Sequence, residues 1–432
     1  ANTCRKENSM YDFLIVGTGF FGSTFARKAT DAGKKCLVID KNPHVAGAAF
    51  DRRWDNGILV SEYGAHIFHT QSDEVWNFIS QFTNFIPFIN KPKVISGRNV
   101  FSFPINLMTL HQLWGVVTPE EAYKKLQEVR VRCDNPRNFE EWILDRVGKQ
   151  LYELFFYGYT KKQWFKEPSQ LPASIIQRLP IRLTYEENYF TTKYQGMPEN
   201  GYSATVQKML EGIDVDLGVD FFTMRNNWRN YAKHLVYTGP IDKFYDYEYG
   251  CLEYNTLKFE HKVFHGDYQG NAVFNHCDLS TPYIRTIEHK HFYKNSPKHY
   301  EHNGLNKEET VVSYDIPISY NEHPEPYYPI RDEKNSNLYN KYSVLKDNQN
   351  DITFGFTANR DYRAEKSIPF PTVDILDGGR NYVTFGSEPF TPNNVLNTNT
   401  WQFSDNLTIF KGKHTIGSDL CNKYAIIDCW AY

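Results

Sequence analysis

Residues 13–22 read Phe-Leu-Ile-Val-Gly-Thr-Gly-Phe-Phe-Gly, and residues 36–40 read Cys-Leu-Val-Ile-Asp. The pattern is an apolar strand, a glycine turn, a helix, a second apolar strand and a terminal acid. Gly17 permits a tight turn off the first strand. Gly19 lets backbone N–H groups approach a pyrophosphate at the helix N-terminus, where the helix dipole favours negative charge. Gly22 lets the helix lie close on the strand. Asp40 follows about twenty residues on, where a carboxylate bonds a ribose hydroxyl. The competing reading is an ordinary βαβ unit without a ligand, and the two strands plus the acid weigh against it. The expected class is α/β, opened by a Rossmann-like dinucleotide-binding unit.

A chain of 432 residues has room for two to three domains. The formal net charge of −3 gives no footprint for a nucleic acid. Seven cysteines, odd in number and without a CxxC spacing, point to a reducing compartment and a cytoplasmic location rather than a disulfide framework. No apolar run of about eighteen residues suggests a membrane span. The polar residues 1–10 read as a disordered tail. With 30 tyrosines the chain is rich in a side chain that offers sugars or bases a flat face with a polar tip.

Residues 11–70 read as the dinucleotide unit, completed by 202–255 and about 345–360. Residues 71–201 change texture. Asp73–Phe82, Pro119–Arg130 and Asn138–Tyr157 carry apolar residues at helical spacing, as does Tyr202–Leu210 beyond them. Thr118-Pro119-Glu120-Glu121 is a helix start, with a capping hydroxyl, a first-turn proline and two acids. This stretch is expected to be a helical insertion. Strand-like runs return at Val215–Phe221, His234–Thr238, Leu257–Phe264, Ala272–Phe274 and Thr310–Ile316, and 256–344 is expected to form an antiparallel sheet that floors a substrate site. Residues 356–432 are punctuated by proline and glycine and read as a divergent, β-rich C-terminal segment.

Specific phrases then carry a resemblance. They include Tyr63-Gly64-Ala65-His66-Ile67-Phe68-His69-Thr70, Gly158-Tyr159-Thr160-Lys161-Lys162-Gln163-Trp164, Leu179-Pro180-Ile181-Arg182, Asn188-Tyr189-Phe190 and Tyr194-Gln195-Gly196-Met197-Pro198. Further on come Tyr237-Thr238-Gly239-Pro240-Ile241-Asp242, Gln269-Gly270-Asn271-Ala272, Arg285-Thr286-Ile287-Glu288-His289-Lys290-His291-Phe292 and Glu325-Pro326-Tyr327-Tyr328-Pro329. Over residues 11 to about 355 the chain resembles the UDP-galactopyranose mutase family and its nucleotide-sugar mutase relatives. The resemblance implies an isomerase with FAD, active when reduced, that interconverts UDP-galactopyranose and UDP-galactofuranose through a flavin N5–sugar adduct. It places the cofactor against Gly17, Gly19, Phe20, Phe21, Gly22, Asp40, Lys41, Gly47, Tyr63, His66 and Val219.

Arg182 and Arg285 align with the family's pyrophosphate-binding arginines. A guanidinium fork matches diphosphate oxygens and stabilises the charge that grows as the sugar–phosphate bond breaks. Tyr159, Trp164, Tyr194 and Tyr328 come from phrases that hold the nucleotide in the family, against the plain alternative of core packing. Phe155 reads equally as a stacking wall or as helix core, and Asn271 equally as a nucleotide ligand or a turn residue. His66 runs past the flavin by resemblance, as a catalytic tuner or a hydrogen-bonded structural residue. His69, His289 and His291 read as structural, and no spacing suggests a metal.

Two departures matter. After the acid-ended strand the family has a glycine pair and then asparagine, where this chain has Ala46-Gly47-Ala48. Beyond Phe354-Gly355 the family's Gly-Arg and Tyr-rich close is replaced by Phe356-Thr357-Ala358-Asn359-Arg360-Asp361-Tyr362. Three alternatives therefore stand beside the mutase. One is a sister enzyme for UDP-N-acetylgalactosamine or a deoxy sugar. Another is a catalytically impaired flavin- or nucleotide-sugar-binding protein. The last is a conventional flavin oxidase. The substrate partner is a UDP-sugar in the favoured reading, and a homodimer is left open.

Overall fold

The computed structural model describes residues 10–175, 180–294, 308–319, 326–330 and 332–347, together with six strands between 355 and 421. The chain divides into two compact units, Ala1–Asp351 with Cys429–Tyr432, and Ile352–Asp428. The tail expected at the N-terminus lies, but for Met10, outside the described residues.

The first unit opens with β1 (Tyr11–Val16), α1 (Phe20–Asp31) and β2 (Cys36–Asp40). A four-stranded parallel sheet forms in the order Asp214–Leu217, β2, β1, Ala232–Tyr237. All five residues of β2 are buried, as are Leu14 and Ile15 of β1. Buried faces on both sides explain the unbroken apolar runs. Gly17 has φ +110°, and a Cβ on it would sit 2.1 Å from Thr238 Oγ1. On Gly22 it would sit 2.0 Å from the Gly17 carbonyl oxygen. The packing of strand and helix thus demands glycine at both positions.

The loop after β2 folds back onto this turn. Ala46 N donates to Thr18 O at 3.1 Å, and a Cβ on Gly47 would lie 3.2 Å from Gly19 Cα. Ala46 adopts φ +74° and is buried. The place where the family resemblance called for glycine is therefore a left-handed position, which costs an L-residue about 1–2 kcal/mol.

A helical layer follows. Pro119–Val129 begins at the capping box of Thr118 and Glu121, as its sequence predicts. Leu107–Trp114 carries a second box from Asn106 and Thr109, and Asn138 caps Phe139–Leu151. Their apolar faces meet in a core that includes Leu110, Leu126, Phe139, Ile143, Leu151 and Phe156. At Tyr152–Tyr157 the helix widens into a π-turn before Gly158–Trp164 resumes α geometry.

The stretch 71–201 is not purely helical. Lys93–Ser96 and Asn99–Ser102 leave it to extend the large sheet, and Tyr194–Pro198 pairs with Phe85–Ile86 on one side and Phe68–Thr70 on the other. The large sheet has seven strands in the order Tyr328–Pro329, Tyr254–His265, Glu309–Ile318, Arg285–Glu288, Val273–His276, Lys93–Ser96, Asn99–Ser102. It departs from the expected antiparallel pattern at one place, where Val273–His276 runs parallel to Lys93–Ser96. Strands joined across some 180 residues escape the hairpin constraint that makes local pairs antiparallel.

A second correction concerns 345–360. Gly355–Asp361, expected to complete the dinucleotide unit, pairs antiparallel with Leu396–Gln402 in the second unit. That unit also holds the ladders Val373–Asp377 with Arg380–Phe385 and Ser404–Lys411 with His414–Cys421.

The glycine loop yields two opposed outcomes. Ala46→Gly is expected to raise stability by about 0.5–1 kcal/mol, because relief of the left-handed strain exceeds the added unfolded-state entropy. A urea midpoint that falls would contradict the φ assigned to Ala46. Gly22→Ala is expected to lower stability by roughly 2 kcal/mol or more, since the new methyl meets backbone that cannot turn aside.

Candidate active site

The seven-stranded sheet sets the site through its register. Arg285 opposes Asp315 on the neighbouring strand, and Asp315 opposes Phe259 on the next. Arg285 Nε donates to Asp315 Oδ2 at 2.6 Å. Asp315 is wholly buried, and burial pushes its carboxyl up while the guanidinium pulls it down. Burial also works against the charge on Arg285, but Asp315 outweighs it and keeps the arginine firmly protonated. The protein therefore holds a half-buried cation with a single bonded counter-charge.

Two tyrosines, Tyr159 and Tyr328, lie within electrostatic reach of this cation. Tyr159 is electrostatically coupled to Arg285, Tyr328, Tyr189 and Asp315, and burial drives its hydroxyl far above the usual range. It arrives there because helix Gly158–Trp164 is clamped to the segment leading into Arg285. A Cβ on Gly158 would lie 1.9 Å from Cys277 O, so only glycine permits this approach. One turn on, the Lys162 ammonium donates to His276 O, Asp278 O, Thr281 Oγ1 and Tyr283 O at 2.8–3.0 Å. Helix and strand are thereby locked at Tyr159 and Arg285.

The loop after Glu62 brings His66 to the same cation. Gly64 has φ +89°, and a Cβ there would sit 3.1 Å from the Phe259 ring and 3.6 Å from Arg285 Nη2. His66 Nδ1 lies 3.0 Å from Gly64 O, which can only accept, so Nδ1 carries the proton and Nε2 is the acceptor. Burial lowers its pKa to about 4, aided by the nearby Arg285 and opposed by the Gly64 bond. His66 is neutral at pH 7.

A buried polar chain anchors this loop to the sheet. His261 Nε2 meets Glu62 Oε2 at 3.4 Å, and His261 Nδ1 meets Ser313 Oγ at 2.6 Å. His289 Nε2 reaches the same hydroxyl. His289 is held neutral by burial, with its pKa down to about 3. Burial raises Glu62, yet hydrogen bonds from His261 and Trp54 outweigh it and bring the carboxyl to about 2.

Other expected site residues are placed elsewhere. Phe155 is 3% exposed and edge-on to Phe101 in the helical core. Tyr194 stacks on Trp76 at 4.6 Å and donates to Asp73 at 2.8 Å, which commits both face and hydroxyl. Asn271 Nδ2 donates to Lys91 O and Val273 O, as a turn residue does. Arg182 Nη1 donates to Glu186 O and Asn188 O, the latter one residue from Tyr189. Trp164 is half-buried at the edge of the helical core.

The dinucleotide residues are tested by packing. A Cβ on Gly19 would meet no protein atom within 4 Å, unlike Gly17 and Gly22, so protein contacts do not explain glycine there. Helix α1 has neither a side-chain cap nor an acid in its first turn. Both observations fit a bound pyrophosphate. Asp40, expected to bond a ribose, is already occupied in part. Its Oδ2 accepts from Thr18 N at 2.7 Å and Thr18 Oγ1 at 2.6 Å, and its Oδ1 accepts from Asn42 N at 2.9 Å. A carboxylate accepts about four bonds, so one place on Oδ1 remains for a ligand. Val219 N donates to Asp40 O at 2.8 Å, which puts Val219 beside the end of β2. Tyr63 OH pairs with His44 Nε2 at 3.1 Å, and Phe20 meets Tyr202 edge-on. The packing fits a dinucleotide such as FAD.

Sequence reading missed Asp315, Tyr189 and Phe259. Tyr189 lay within a quoted phrase, but its aromatic neighbours masked it as core. Asp315 gave no local signal, because an acid in Glu309–Ile318 reads as the exposed side of an alternating strand. Reading also missed that Asp267, Glu288 and His291 bring three donor atoms within 4.8 Å. His291 pairs with both acids and Lys290 with Glu288, while Glu288 also accepts from Tyr268 N, Gln269 N and Thr310 Oγ1. This is an ion-pair hub that closes the 266–270 turn. No described helix is long and apolar enough to cross a membrane.

Comparison with known proteins agrees with this geometry. Residues 154–360 match the family model for UDP-galactopyranose mutase, and residues 15–82 match the one for an NAD(P)-binding Rossmann-like domain. A Klebsiella pneumoniae protein named "Probable UDP-galactopyranose mutase" is 40% identical over 351 residues, 79% of this chain and 88% of that protein. The dTDP-fucopyranose mutase of Escherichia coli is 39% identical over 356 residues, 80% of this chain and 92% of that one. A crystal structure of reduced UDP-galactopyranose mutase shares the fold, with a TM-score of 0.53 over 78% of each chain at 14% identity. The chain belongs to the UDP-galactopyranose mutase family.

Proposed function

We propose that the protein interconverts UDP-galactopyranose and UDP-galactofuranose with reduced FAD. The observation that carries this reading is Arg285, a half-buried cation held by one bond, with Tyr159, Tyr328 and neutral His66 within electrostatic reach. A diphosphate leaving group is the chemistry such a cation serves, because its charge grows as the glycosyl bond breaks. Tyr159 and Tyr328 supply flat area and directed hydroxyls beside it. The cofactor, bound by the Gly17–Gly22 turn, the Gly47 loop and Asp40, would supply in its reduced form a nucleophilic ring nitrogen for the anomeric carbon. His66 Nε2 is an acceptor available to hold a proton near that centre. Relatives at 39–40% identity support the mutase class.

A second reading has its own support. The fucopyranose relative is as similar as the galactopyranose one, and it differs in both nucleobase and sugar. A mutase acting on a deoxy sugar is therefore the alternative within the class, and a one-methyl difference in a pocket shifts preference by only about 1–3 kcal/mol.

Purified protein should show a flavin absorbance band. After dithionite reduction it should convert UDP-galactofuranose to the pyranose, as read by chromatography. Conversion of the dTDP-fucose pair with UDP-sugars left untouched would select the second reading. A protein that takes up no flavin would remove both.

Arg285→Ala should lower turnover on the order of 10²–10³-fold with the flavin spectrum retained. Unchanged turnover would reject its role. For pH, the depressed pKa of His66 fixes the sign. The neutral form is full above pH 5, so its contribution is flat from there to pH 8 and falls only as pH nears about 4. An inflection near 6.5 that His66→Gln abolishes would contradict this.

A further inference from the structure

Asp315 grips Arg285 in an unusual way. A carboxylate beside a guanidinium commonly closes a two-point fork, each oxygen taking one N–H. Here only Oδ2 is engaged, and only by Nε. Oδ1 is buried and accepts no hydrogen bond among the described residues. Neither Nη group of Arg285 donates to a protein acceptor among those residues. The clasp is half-open, and the carboxylate is left under-satisfied inside the sheet. Leaving an oxygen unpaired there costs stability. What the arrangement preserves is the outer edge of the guanidinium, with both Nη groups, on the side where Gly64 approaches Nη2.

The surroundings hold Asp315 in this pose. It lies two residues from Ser313 on one strand face, and Ser313 is gripped by His261 and His289. The strand cannot slide to close the fork without breaking that contact. The acid has no second donor and no exposure, so it touches no ligand itself.

We infer that Asp315 is the positioning residue of the diphosphate site, holding Arg285 by Nε so that its Nη edge is kept for the nucleotide diphosphate. The inference rests on the mutase reading for the ligand class, a nucleoside diphosphate. It adds that the acid works through the arginine and that its reach, not its charge alone, sets the affinity.

The test is titration calorimetry of UDP into the full-length protein, with turnover and thermal unfolding measured alongside. Asp315→Asn keeps an acceptor for Nε but removes the charge that holds it. UDP affinity should fall on the order of tenfold, and the loss should vanish in an Arg285→Ala background, because the two residues act as one unit. Asp315→Glu keeps the charge and adds reach, so the longer carboxylate can close the fork. It should also weaken UDP, while its unfolding temperature stays at or above that of Asp315→Asn. Wild-type UDP affinity and turnover in Asp315→Glu would overturn the inference, as would losses that multiply with Arg285→Ala. Should Asp315→Asn fail to fold, Asp315→Glu decides alone. A wild-type protein that does not bind UDP would sink the functional reading and this inference together. A protein that binds UDP but ignores both Asp315 variants sinks the inference only.

Discussion

The ion pair of half-buried Arg285 and wholly buried Asp315 constrains everything around it. The buried carboxylate alone would cost several kcal/mol of desolvation, so the arginine must arrive opposite it. The sheet meets this demand through register, since Arg285, Asp315 and Phe259 form one cross-strand row. A slip of one residue would turn Asp315 to the other face and strand the arginine. The next row guards against slippage, with Ser313 bonded by His261 from one side and His289 from the other. Glu288, three residues past Arg285, ties the turn at 266–270 to the same strands through five donors. The polar interior of this sheet is thus a locking device for one ion pair.

How much of this was readable beforehand differs between the two halves of the first unit. The β1–α1–β2 unit was legible because its signals are local. Glycines at fixed offsets and runs of buried apolar residues report their own geometry, as does the capping box at Thr118. The strands Lys93–Ser96 and Asn99–Ser102 were not legible as part of the large sheet. Their partners lie some 180 residues away, and a short run such as Lys-Val-Ile-Ser carries no mark of whom it pairs with. Asp315 escaped for a related reason. Within Val311-Val312-Ser313-Tyr314-Asp315 an acid reads as the exposed side of an alternating strand. Only the register opposite Arg285 shows that it is buried. Tyr194 and Asn271 carry local partners that the family phrases do not show, Trp76 with Asp73 and Lys91 with Val273.

Helix Gly158–Trp164 shows how a residue is carried to a site by parts that never touch a ligand. The π-turn at Tyr152–Tyr157 changes the helix phase just before Tyr159, and such turns recur where a side chain must be re-aimed. Gly158 then allows backbone-to-backbone approach, and Lys162 fills an oxygen cage four residues on. An ammonium has three protons, so the four acceptors share them and every proton is satisfied. The cage therefore behaves as a rigid joint between the helical layer and the strand that begins at Arg285.

The glycine loop makes the converse point, that a departure from pattern is tolerated when another contact carries the geometry. Ala46 sits at φ +74°, where a glycine would be free of strain. Its N–H is bonded to Thr18 O, and Thr18 is itself held twice by Asp40. The acid at the end of β2 thus fastens the turn, and it keeps one Oδ1 place beyond its bonds to Thr18 and Asn42. Fastening comes first in energy, because both Thr18 and Asp40 are buried and neither donor nor acceptor could be left unpaired there. A strained alanine can then persist beside the glycine turn, since the loop it occupies is set by Thr18 rather than by its own backbone preference. Gly47, pressed within 3.2 Å of Gly19 if it had a side chain, marks the point where that tolerance ends.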